Sequence, residues 1–242
     1  HTAPAGRFAV VRSVEAMVSE QVARWRQEEV VDGPGRGACV AFSHLPGSGA
    51  AELGRRVAER LGYGFFDREI VESIARDSGA QLRLVGELDE HVRSMIDRYV
   101  VDVFRGRSFA EDDYLKSVGR VFATLAKCGR AVLLGRGATA ILTPRQALRV
   151  LVVAPRDVRI ERIAHEQHLE RGAATQHLEQ EEAARSGFLR HHFGVRQDDP
   201  ALYELVVNTG TLSLDLATEL VIVALRGQFP GAEAGAQRSG SA

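Results

Sequence analysis

One stretch restricts the fold of this chain more than any other: Ala38-Cys-Val-Ala-Phe-Ser43, then His44-Leu-Pro-Gly-Ser-Gly49, then Ala50-Ala-Glu-Leu-Gly-Arg-Arg-Val-Ala-Glu-Arg-Leu61. Val40, Ala41 and Phe42 form the short apolar run of a strand covered on both faces. Leu53, Val57 and Leu61 recur at helical spacing, and Gly62 supplies the stop. Between them, Gly47 and Gly49 permit backbone angles closed to other residues and let a ligand approach the main chain. The first N–H groups of such a helix lack partners and carry the positive end of its dipole, so strand, turn and helix together make a seat for phosphate.

The side chains depart from the usual phosphate-binding loop, G-x-x-x-x-G-K-[ST], in which Lys reaches the β/γ-phosphates and Ser/Thr binds Mg²⁺. Aligned on Gly47-Ser-Gly49, the first Gly falls on Ser43 or His44, the Lys on Ala50, and the last position on Ala51 or Glu52. The candidate phosphate contacts are therefore Ser43, Gly47, Ser48, Gly49, Ala50 and Ala51, with no cation among them. A plain strand-to-helix turn of an α/β protein is the alternative reading of this segment.

With 242 residues, 45% hydrophobic and 26% charged, the chain suits one α/β domain, or one domain with a helical annex. A net charge of −1 gives no global attraction to nucleic acid or anionic membrane. No apolar run is long enough to span a bilayer and no signal-peptide pattern stands at the start, so a cytoplasmic location is expected. Cys39 and Cys128 lie in apolar settings, which favours buried free thiols over a disulfide.

Residues 1–37 read as a helix with Val14, Met17, Val18, Val22 and Trp25 on one face, then a Gly/Pro linker. That helix can dock on the core or on a second subunit. Residues 38–229 form the main domain. Tyr63-Gly-Phe-Phe-Asp-Arg68 reads as a second strand ending in Asp67 and Arg68, where ligands of open α/β sheets bind. Asp67 can equally cap the next helix. Residues 77–130 form a helical insertion that suits the lip of a pocket or a dimer surface. Ala131–Gly135, Ala147–Ala154 and Tyr203–Asn208 read as further strands. Arg156, Arg159 and Arg162 follow the fourth strand, three apart on one helix. His165–Gly172 is polar and reads as a loop or lid over about 165–175. His165, His168 and His177 lack the accompanying ligands of a metal site, so no metal is assigned. Ser213 caps a last helix with Leu216, Leu220, Val223 and Ala224 inward, and 230–242 read as a disordered tail.

Strands alternating with helices argue for a mainly parallel sheet. The order of landmarks then resembles the cytidylate kinase-like family, a branch of the P-loop nucleoside monophosphate kinases. The matching pieces are Phe42-Ser43, Gly47-Ser-Gly49, Leu61-Gly-Tyr63, Phe66-Asp-Arg-Glu69, Gly135-Arg-Gly137, Val153-Ala-Pro155 with Arg159 and Arg162, Phe193-Gly-Val195, Asp198-Asp-Pro200, and Tyr203-Glu-Leu-Val-Val-Asn-Thr209. The resemblance implies a five-stranded parallel sheet flanked by helices and transfer of the γ-phosphoryl of ATP to CMP or dCMP, with Mg²⁺. It implies nucleotides as partners; the net charge and the lack of a spanning run argue for no nucleic acid polymer and no membrane, and a homodimer is left open. It places Arg162, Arg185 and Arg159, with Arg190 beside them, on the transferring group, and Asp67, Arg68 and Arg136 on the acceptor.

Three features depart from that resemblance. Ala50 supplies no cation, Glu52 stands near the place of the Mg²⁺-binding hydroxyl, and Gly137 stands where cytidylate kinases carry Asp. The resemblance therefore carries two readings: a phosphotransferase of weak or altered activity, or a silent nucleotide- or anion-binding domain that acts as a sensor or scaffold.

Overall fold

The computed structural model describes residues 13–26, 38–86, 88, 90–104, 113–135 and 137–230. The expected linker, the tail, the break at Arg105–Ser108 and Arg136 lie outside the described residues. The elements run α1 (Val14–Arg26), β1 (Cys39–His44), α2 (Ala50–Leu61), β2 (Gly64–Phe66), α3 (Arg68–Arg76), α4 (Ser78–Gly86), α5 (Glu90–Phe104), α6 (Asp113–Cys128), β3 (Ala131–Leu134), α7 (Ala138–Ile141), β4 (Ala147–Val153), α8 (Arg156–Gln167), α9 (Arg171–Phe193), a 3-10 turn (Pro200–Leu202), β5 (Leu205–Asn208) and α10 (Leu214–Gln228).

The five strands form one parallel sheet in the order β2-β3-β1-β4-β5. Parallel strands need crossovers that cover both faces, and the side chains alternate accordingly. Cys39 and Ala41 of β1, with Ala131 and Leu133 of β3, point to a core shared with α1 and α3–α7. Val40 and Phe42, with Val132 and Leu134, point to the opposite core under α2 and α10. From β1 the chain crosses toward β2, and from β4 toward β5, so the carboxyl ends of β1 and β4 flank the switch point of the sheet.

Caps fix the helices around that point. Gly62 ends α2 in a left-handed conformation, its N–H bonded to Ala58 O and Glu59 O. Asp67 caps α3 by accepting from Ile70 N. Asp77 closes α3 and its Oδ1 accepts from Gly79 N and Ala80 N, so the expected helical run from 77 begins as a separate helix. Of the two docking options, α1 takes the core: Gln21 Nε2 and Trp25 Nε1 both donate to Gly129 O at 3.2 Å.

Two expectations need correction. The polar stretch 165–175 is not a loop, because α8 continues to Gln167 and α9 starts at Arg171. His168 takes the left-handed conformation (φ 54°), and its N–H bonds Ala164 O, so three residues suffice for the reversal. Ile160, Ile163, Ala174 and Leu178 then form a small core between the two helices. In α10, Leu216, Leu220 and Val223 are 49%, 40% and 62% exposed, while Ala217, Thr218, Val221, Ile222 and Leu225 face inward. The helix is apolar on more than one face, and Ala217, Val221 and Leu225 take the side packed on the core beneath it.

That inversion predicts unequal truncations. Leu225→Ala, at a fully buried site, should cost about 2–5 kcal/mol in urea unfolding, and Leu220→Ala about 0.5 kcal/mol or less. Equal losses would restore the outward face of α10 to the core.

Candidate active site

The turn after β1 is held by its carbonyls. Arg159 Nη1 donates to Pro46 O at 3.4 Å, Arg162 Nη1 to Gly47 O at 3.5 Å, and Thr209 Oγ1 to Ser48 O at 2.5 Å. Because C=O and the following N–H point opposite ways in a trans peptide, the N–H groups of Gly47 and Gly49 turn away from these donors. Ser48 N is occupied by Leu45 O at 3.1 Å. The N–H groups of Gly47, Gly49, Ala50 and Ala51 have no acceptor among the described residues. The Ser48 hydroxyl is buried and has no hydrogen-bond partner among the described residues.

Glycine is required here. Gly47 and Gly49 have φ 72° and 75°, and a Cβ on Gly47 would stand 2.6 Å from Arg159 O. Glu52 does not face an anion seat uncompensated, since Arg56 Nε donates to Glu52 Oε1 at 2.8 Å and its Nη1 to Asp215 at 2.6 Å.

The three expected arginines differ in what they do. Arg159 is buried; its Nε donates to Ala154 O at 2.9 Å, and its Nη1 meets Glu182 Oε1 at 2.5 Å. It ties β4, the turn, α8 and α9 together. Arg162 donates to Thr209 O at 2.7 Å and Thr209 Oγ1 at 3.0 Å, and would lie 3.5 Å from a Cβ on Gly49. Arg185, from α9, donates to His44 Nε2 and pairs with Glu181 at 3.3 Å. Arg156, on the same helix as Arg159, is half-exposed and bound to Glu179, and Arg190 donates to Ser186 Oγ at 3.4 Å.

Beside the turn lies a cavity of about 600 Å³, in the range of small-ligand sites. Ser43, His44, Asp67, Arg68 and Arg185 line it with Arg55 and Phe188. The structure thus separates the expected residues. Gly47–Ala51, Arg159 and Arg162 build the turn; Ser43, Asp67, Arg68 and Arg185 build the cavity. Asp67 serves as cap and as wall at once. Arg68 Nε donates to Glu72 at 2.9 Å, which raises its pKa.

Three participants were not assigned from the sequence. Gln197 Nε2 donates to Ser43 Oγ at 3.0 Å and His44 O at 2.8 Å, and is steadied by Tyr203 OH, which donates to Gln197 O at 2.9 Å. Thr209 stands in the Tyr203–Thr209 motif, whose position was legible and whose grip on Ser48 O was not. Arg55 gave no signal. Gly137 also gains a reason: it has φ 76°, and a Cβ there would run into the Phe193 ring, so the position has no room for Asp. Among the described residues no cluster of His, Cys, Asp or Glu could hold a metal ion, and no helix is long and apolar enough to cross a membrane.

Sheet order, turn and cavity together define an α/β protein of P-loop kinase-like fold. A solved structure of an uncharacterized protein from Eubacterium ventriosum superposes with a TM-score of 0.54 at 15% identity, covering 78% of this chain and 98% of that one. The family model of the cytidylate kinase-like family matches residues 39–211, and the chain belongs to that family. Similar curated proteins include a cytidylate kinase of Aeropyrum pernix, 28% identical over 76% of this chain and 97% of its own. Another is a cytidylate kinase of Staphylothermus marinus, 24% identical over 75% and 93%.

Burial, and then the Arg185 charge, lowers the His44 pKa to about 3. The ring is therefore neutral, with its proton on Nδ1, and Nε2 free to accept from Arg185. In the unfolded chain the imidazole titrates near its usual 6.5. Below that pH the unfolded state binds the extra proton, so stability falls as pH drops toward the folded value, by up to about 1.4 kcal/mol per pH unit. Between pH 7 and 5 the wild type should lose stability more steeply than His44→Gln in urea titrations. Parallel profiles would remove His44 from the acid response.

Proposed function

We propose that this protein transfers the γ-phosphoryl group of ATP to a pyrimidine nucleoside monophosphate of the CMP or dCMP type. An oxygen of the acceptor phosphate forms the new P–O bond, the bond between the γ-phosphorus and the β-phosphate bridge breaks, and ADP leaves. The observation that carries this reading is the turn: four free N–H groups and an orphaned buried hydroxyl open beside a cavity with three guanidiniums in its wall. Family membership points the same way.

Such transfer needs positioning and charge neutralisation more than covalent chemistry. Gly47, Gly49, Ala50 and Ala51 would offer N–H groups to the ATP phosphates. Arg185 and Arg162 would supply the positive charge that Ala50 lacks. Arg159, buried and paired with Glu182, would act as a positioning residue for the turn. Asp67, Arg68 and Arg136 would serve the acceptor, and the α8–α9 hairpin would act as the lid. Mg²⁺ would neutralise phosphate charge; Ala50, Ala51 and an Arg-paired Glu52 offer it no protein ligand, so it would be held by phosphate oxygens and water.

The second reading, binding without turnover, draws on Ala50 and on the engagement of Arg159 by Glu182. A coupled assay of ATP consumption across the NMP and dNMP set separates the two. Acceptor-dependent turnover, fastest with CMP or dCMP, is the expected result; binding by calorimetry with no turnover favours the silent domain; no binding of any nucleotide removes both. Gly49→Val should abolish nucleotide-dependent thermal stabilisation, since a side chain there fills the seat at a left-handed φ. Retained stabilisation in this variant takes the cradle out of the reading.

A further inference from the structure

Three guanidiniums line the cavity beside the turn, and two are already engaged. Arg68 is bound to Glu72, and Arg185 to His44 and Glu181. Arg55 differs: it lines the cavity with no carboxylate at ion-pair distance among the described residues. Its charge is held in place without being neutralised. Arg55 Cζ stands 5.4 Å from the centroid of the Phe65 ring, within cation–π range. The ring lies there because Gly54 precedes Arg55: a Cβ at Gly54 would come within 2.7 Å of Phe65 Cε2. Glycine on α2, the aromatic of β2 and the guanidinium thus form one stack.

We infer that Arg55 binds the phosphate of the acceptor nucleoside monophosphate, an inference that rests on the phosphotransferase or nucleotide-binding reading above. Arg55 sits six residues after Gly49 on α2, about 9 Å along the helix from the phosphate turn. Its side chain lines the cavity proposed for the acceptor. Of the acids in the same wall, Asp67 accepts from Ile70 N, Glu181 pairs with Arg185 and Glu69 stands beside them, and none of the three is at ion-pair distance from Arg55. A planar guanidinium with free donors takes two phosphate oxygens in paired hydrogen bonds, each assisted by charge.

Calorimetry on the full chain, with each NMP and dNMP, ATP and the matching free nucleosides, tests the assignment. Arg55→Gln should weaken binding of the acceptor monophosphate at least tenfold while leaving ATP affinity and nucleoside affinity within error and lowering Tm by no more than about 4 °C, the loss of the Phe65 stack. Arg55→Lys should recover part of the loss. If the wild type binds a monophosphate and Arg55→Gln binds it within twofold, this assignment is overturned and the functional reading stands. If ATP affinity falls equally, Arg55 serves the turn instead, and the assignment is again overturned. If the wild type binds no nucleotide, the functional reading falls and this inference with it.

Discussion

Three successive carbonyls decide what the turn after β1 can offer. Those of Pro46, Gly47 and Ser48 are each taken by a side chain from far along the chain, Arg159, Arg162 and Thr209. With the carbonyls fixed on one side, planar peptides present Gly47 and Gly49 N–H on the other. The two arginine contacts are long, at 3.4 and 3.5 Å, and the arrangement is costly to disturb for another reason. Arg159 is buried, and without Glu182 its charge would stand unpaired away from water. The turn therefore inherits its geometry from α8, α9 and the end of β5 as much as from its own glycines.

This dependence explains why fold and site were unequally legible. The parallel sheet was readable because β1, β3 and β4 are short apolar runs between turn signals, as strands buried on both faces must be. Caps such as Asp67 and Ser213 were readable because their hydrogen bonds are local. The inner face of α10 was misread, since Leu216-Leu220-Val223 and Val221-Leu225 are both apolar stripes and periodicity alone cannot rank them. The even spacing of Arg156, Arg159 and Arg162 set their common helix and hid their depths: one meets Glu179, one is buried, one lies on the turn. Gln197 and His44 meet across more than 150 residues, and no pattern of spacing encodes such a contact.

The missing lysine reads differently once the turn is seen whole. In the usual loop, a cation placed one residue past the last glycine reaches the phosphates from the helix itself. Here positions 50 and 51 are both alanine, and the guanidiniums against the turn and β1 come from elements later in the sequence. Arg162 lies against Gly47 and Thr209, and Arg185 against His44. A cation on a separate element can be withdrawn or delivered with that element, whereas a lysine in the loop cannot.

The packing of α8 and α9 fits such delivery. The tip of the hairpin holds itself together with a core of its own, Ile160, Ile163, Ala174 and Leu178. Leu189 and Phe193, at the far end of α9, belong instead to the main core. Between tip and anchor, the contacts to the turn and β1 are made by Arg159, Arg162 and Arg185. Apolar contacts lose free energy in proportion to the area exposed when they part. A guanidinium that leaves Thr209 O or His44 for a phosphate oxygen exchanges one hydrogen bond for another, and the new acceptor is charged. Under the proposed function, polar joints of this kind would let a nucleotide compete with the protein for the same donors, and occupancy of the turn would then be linked to the position of the hairpin through these arginines.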